Sequence, residues 1–78
     1  MNGIVSDLEQ FEIKAIRKSY KIILTRKLSR GVEMTDIRLW KKWAQDGVFH
    51  PGSNGLMIET SILKDILPEI NRRILAST

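Results

Sequence analysis

Residues 14–42 hold ten of the chain's thirteen lysines and arginines and two of its nine acids, a local charge of +8. The rest of the 78-residue chain has three bases and seven acids, so its −4 brings the total down to +4. Concentrated like charge must stay in solvent, because burying unpaired ions is costly. In this segment Tyr20, Ile22 and Leu24 alternate with Lys21, Ile23 and Thr25. That two-residue period, rich in β-branched side chains, predicts strands with a cationic face. Tyr20, Trp40 and the adjoining Trp43 add flat rings to the charge, the combination that a nucleic-acid strand requires.

Seventy-eight residues form one domain, which on folding buries roughly 60% of the surface exposed by the unfolded chain. With no cysteine and a single histidine, neither disulfides nor a structural metal is expected to supplement so small a core, and no cofactor is implied. Pairing with a second copy is the expected remedy, most simply a two-fold homodimer. No apolar run approaches the ~20 residues of a membrane span. The first ten residues lack the basic and apolar regions of a signal peptide. A soluble protein is expected, cytoplasmic in a bacterial or virus-infected cell, or nuclear if the source is eukaryotic.

Residues 1–10 read as a flexible arm that can hold a short helical turn at Ser6–Gln10 capped by Ser6, with an ordered acidic arm as the alternative, and residues 11–78 as the domain. Phe11, Ile13 and Ala15 share one parity, and the change of parity at Lys18-Ser19 reads as a bulge within one strand. Ser29-Arg30-Gly31 reads as a turn. Val32 to Trp43 forms the next strand, and Asp46-Gly47 marks a second turn. Residues 48–58 follow as one bent strand or two short ones, with Pro51 confined to an edge or bulge. From Thr60 to about Ala76, apolar residues at spacings of three and four predict a helix capped by Thr60 and bent at Pro68. The expected fold is α+β: a curved antiparallel sheet of three to four strands with one C-terminal amphipathic helix. The helix is expected to cover one face and the basic strands to line the other. Met34 and Met57 are expected in the core or dimer interface. Asp36 and Arg38 share a strand face, where a surface ion pair between them would be worth only ~0–1 kcal/mol.

Asp36-Ile37-Arg38, then Asp46-Gly47-Val48-Phe49-His50-Pro51-Gly52-Ser53-Asn54-Gly55-Leu56-Met57-Ile58 and the helix, resemble the family of the eukaryotic transcriptional coactivator positive cofactor four. That family has small bacterial and viral relatives. The resemblance covers about residues 11–75. It implies a two-fold dimer whose paired β-surfaces bind single-stranded DNA, or unwound duplex, with little sequence preference. It assigns Arg38 to backbone contact and Trp40 or Trp43 to base stacking. It also implies that Arg17, Lys18, Lys21, Arg26, Lys27 and Arg30 line the groove. His50 stands where the family has lysine, and Ser53-Asn54 replace a basic pair.

The expected DNA-binding set is therefore Arg17, Lys18, Tyr20, Lys21, Arg26, Lys27, Arg30, Arg38, Trp40, Lys42 and Trp43. The expected role is phosphate capture and base stacking in replication, recombination or transcription, with RNA as an open alternative strand. Two other readings remain: a module docking an acidic replication or transcription protein, and a duplex reader using Arg38 and Lys42. Nothing in the sequence pairs a nucleophile with a base or sets two carboxylates for acid–base work, so no enzyme is expected.

Overall fold

The computed structural model describes residues 5–76. Four strands, β1 (Val5–Ile16), β2 (Tyr20–Ser29), β3 (Val32–Lys42) and β4 (Phe49–Glu59), form an antiparallel meander in the order β1-β2-β3-β4. They are followed directly by helix α1 (Thr60–Ala76). The architecture is the expected α+β one, with the sheet at its upper strand count.

The N-terminal part departs from expectation. Residues 5–10 belong to β1 rather than to a loose arm or a helical turn, because they find a ladder partner in the far half of β2, where Asp7 faces Lys27 and Gln10 faces Thr25. Residues 1–4 of the expected arm lie outside the described region. Arg17, Lys18 and Ser19 reverse the chain between β1 and β2, where a bulge within one strand was expected. Arg17 supplies the left-handed backbone (φ 59°) that glycine or asparagine usually provides. The bulges of β1 fall instead between Asp7 and Glu9 and between Glu12 and Lys14.

The remaining turns follow the sequence. Arg30 (φ 53°) and Gly31 (φ 79°) form the two-residue link between Ser29 and Val32, both with the positive φ of a type I′ hairpin turn. Gly47 (φ 67°) closes the connection after β3. β4 is a single edge strand, on which Pro51 is tolerated, with its irregularity opposite Arg38–Trp40. Here β4 comes very close to β3. A methyl group on Gly52 would stand 2.9 Å from the Leu39 carbonyl oxygen, and one on Gly55 2.8 Å from that of Ile37.

Partners across an antiparallel ladder share a face. The pairings therefore put Phe11, Ile22, Leu24, Ile37, Leu39 and Leu56 on one apolar face. Lys21, Ile23, Thr25, Lys27, Asp36, Arg38 and Trp40 lie on the other, polar face, and so do Met34 and Met57, which the sequence reading placed in the core or interface. The helix does not cover the sheet as expected. It packs against β3 and β4 near its start, where Thr60 and buried Thr35 share a hydroxyl–hydroxyl hydrogen bond of 2.7 Å. Leu63 is the one buried residue described in the helix. Pro68 lies within an uninterrupted helical segment.

The molecule is a slab of 45 × 40 × 18 Å. Among the described residues Ile23 and Leu63 are the only buried hydrophobic side chains, while Phe11, Leu56, Ile62, Leu67 and Ile70 are exposed. Gly55→Ala should lower stability by about 1–3 kcal/mol, since the added methyl meets the Ile37 carbonyl oxygen and the root of the Arg38 side chain, neither of which can readily yield. The urea midpoint reads this directly, and a neutral result would mean that β3 and β4 are not so closely apposed.

Candidate nucleic-acid interface

The polar face contains a groove of about 450 Å³ lined by Gln10, Thr25, Lys27, Asp36, Arg38, Trp40, Gly52 and Met57, among others. At its floor Asp36 is 4% exposed. A carboxylate so deeply placed needs cationic partners. Arg38 donates from Nε and Nη2 to Asp36 at 3.0–3.2 Å and from Nη1 to the Gly52 carbonyl at 3.0 Å. Lys27 Nζ stands 3.7 Å from the same carboxylate. Arg38 thus ties β3 to the irregular stretch of β4, which is a structural task beside the phosphate contact expected of it.

Other cations are also engaged. Arg26, on the apolar face, grips Glu33 through Nε and Nη2 at 3.0 and 2.7 Å and also pairs with Glu9. The Arg26 guanidinium holds the Glu33 carboxyl below the usual carboxylate range. Lys21 pairs with Glu12 at 2.8 Å and also sits over the Phe49 ring, 4.4 Å from its centroid.

Most of the unengaged charge of the basic segment lies at one end of the sheet, and Arg30, likewise without an acidic partner among the described residues, stands alone in the β2–β3 turn at the other. Among the described residues no acid is within ion-pairing distance of Lys14, Arg17, Lys18, Lys41 or Lys42. The Lys42 amide donates to the Ser19 carbonyl at 2.8 Å, which brings the 17–19 turn against the end of β3. Rings gather at the same rim. Trp40 and Phe49 share the polar face. Trp43, 48% exposed, stacks on His50 with centroids 3.8 Å apart and planes at 27°. Asp46 accepts from the Val48 amide at 2.9 Å and from His50 Nε2 at 2.8 Å. The Val48 amide first, then His50, lowers the Asp46 carboxyl below its ordinary value. The Trp40 indole N–H is buried with no acceptor among the described residues. Such a donor costs on the order of 1–3 kcal/mol until a partner satisfies it.

Of the residues expected from sequence, Lys21, Lys27, Arg38, Trp40 and Lys42 share the polar face, with Arg17 and Lys18 in the turn at its end. Tyr20 and Arg26 fall on the apolar face by register, Arg30 occupies the β2–β3 turn at the far end, and Trp43 stands in the loop after β3. Sequence reasoning missed Phe49, whose cross-strand pairing with Lys42 puts it beside Lys21. It also missed Lys14 and Lys41, neither of which has an acidic partner in the vicinity. No count of nearby acids would have separated these from the paired bases, since Lys14 has Glu12 two residues away and yet Glu12 pairs with Lys21 across the 17–19 reversal. Comparison with protein-family models, curated proteins and solved structures found no match.

Two outcomes follow from this geometry. Asp36→Ala leaves Arg38 and Lys27 without their counter-ion and should lower stability by roughly 2 kcal/mol. That is less than the 3–5 kcal/mol of a fully buried pair, because both cations keep some solvent. An unchanged urea midpoint would rule out the clamp. Because the folded Asp46 carboxyl is depressed, its contribution is complete above the ordinary carboxylate value and lost as pH falls through the depressed one. Trp43 fluorescence should therefore change on acidification in that range, and Asp46→Asn should remove the transition.

Proposed function

We propose that this chain is a nucleic-acid-binding β-sheet protein, and within that class one that holds single-stranded DNA with little regard to sequence. The observation behind the reading is the rim, where five bases without acidic partners stand beside the half-buried rings of Trp40 and Phe49 and the exposed ring of Trp43. Elsewhere on the sheet Asp36, Glu9, Glu12 and Glu33 neutralise their neighbours. Unneutralised charge repels itself, and a polyanion relieves that repulsion. Phosphates engage Lys14, Arg17, Lys18, Lys41 and Lys42, while unpaired bases stack on Trp40 and Phe49. The resemblance to the positive-cofactor-four family agrees with this reading and with a role in replication, recombination or transcription.

The active form is a two-fold dimer formed by the apolar face and the exposed helix row of Ile62, Leu67 and Ile70. The two hydrophobic side chains buried among the described residues cannot offset the chain entropy of a 78-residue fold. A second copy laid on this face would cover area of the order of the ~1,600 Å² found in stable interfaces. The groove remains open on the other side, and the rim, whose Lys14 and Lys41 fall on the apolar face by register, remains open at the end of the sheet.

Fluorescence titration with oligo-dT should show log K falling with log[salt] at a slope of about −3.5 if roughly five phosphates are neutralised. Duplex DNA and RNA of equal length should bind more weakly. No binding to any oligonucleotide would overturn the reading and favour an acidic protein partner. Sedimentation should give a dimer, and Leu56→Glu should produce monomer or unfolded chain.

A further inference from the structure

We infer that Trp43, His50 and Asp46 form a second stacking site, set on the opposite side of the rim from Trp40 and Phe49, so that one strand passes over the end of the sheet. The inference rests on the single-strand reading above and assigns the path within it. Neighbouring residues of a strand point to opposite faces. Lys42 pairs with Phe49 on the polar face, whereas Lys41 pairs with His50 on the other. The rim is therefore flanked by a ring and a lysine on each side, with the Arg17-Lys18-Ser19 turn against the end of β3.

The second site is held ready. The Trp43 ring rests on His50 at 3.8 Å. An ionised carboxylate can only accept, so the 2.8 Å contact with Asp46 makes His50 Nε2 the protonated ring nitrogen. Asp46 is itself fixed by the Val48 amide, and the Gly47 amide donates to the Trp43 carbonyl at 2.9 Å. The imidazole is thus pinned edge-on while its face supports the indole. Trp43 remains nearly half exposed, which suits it to receive one unpaired base. His50 and Asp46 are positioning residues that hold the ring flat.

The test is affinity for oligo-dT of about 4 and about 15 nucleotides, a range that brackets the footprints of small single-strand binders. Trp43→Ala and His50→Ala should weaken binding of the longer strand about tenfold and change the shorter one less than twofold. His50→Phe keeps a ring under the indole and should restore the long-strand affinity. Losing affinity equally for both lengths would mean that Trp43 belongs to the first site. Unchanged long-strand affinity in both alanine variants would overturn the second site while leaving the single-strand reading intact. A wild-type chain that binds neither length would overturn both. Failure of His50→Phe to restore binding would remove the positioning role of the imidazole.

Discussion

A carboxylate at the floor of the polar face, Asp36, organises what lies around it. Withdrawn from solvent, it requires positive charge, and the side chain two residues along on the same face, Arg38, supplies it. The planar guanidinium has donors to spare, and one reaches the Gly52 carbonyl. That bond secures β4 where its backbone lies too near β3 for any side chain at Gly52 or Gly55. The Asp-Ile-Arg and Pro-Gly-x-x-Gly segments behind the family resemblance are therefore two halves of one joint. With β4 seated in this register, Phe49 meets Lys21 and His50 comes under Trp43.

The same electrostatics divide the basic segment into two populations. Arg26, Lys27 and Lys21 serve the sheet through acids on neighbouring strands, and Arg38 through Asp36 on its own strand. Lys14, Arg17, Lys18, Lys41 and Lys42 lie beyond the reach of those acids, at the end farthest from the helix start, and Arg30 does so in the turn at the other end. A net charge of +4 thus understates the field at the rim and overstates it in the groove. The apolar face differs again, since its side chains are too few and too exposed to form a core within one chain.

Much of the architecture was legible because it depends on local chemistry. Arg30-Gly31 makes a tight hairpin since glycine accepts positive φ, and the three-and-four stripe marks the helix with the stated bounds, although the Thr60 hydroxyl expected as its cap bonds to Thr35. The 17–19 reversal was not legible, as Arg17-Lys18-Ser19 contains no glycine, proline, asparagine or aspartate to announce a turn. Only the pairing of β1 along the length of β2 forces Arg17 into its left-handed backbone. Residues 5–10 became strand for the same reason: Asp7 and Gln10 gain ladder partners that are distant in sequence.

For the candidate site, the chain by itself determined that positive charge and rings would share one region, because composition and two-residue spacing are properties of the sequence. It also determined that a lone copy would have little to bury. Tertiary structure alone decided which cations stay unneutralised and which rings face together. Those outcomes depend on cross-strand register, which places Glu9 and Glu33 about Arg26 and Asp36 between Lys27 and Arg38. A shift of one residue would send every side chain of a strand to the opposite face.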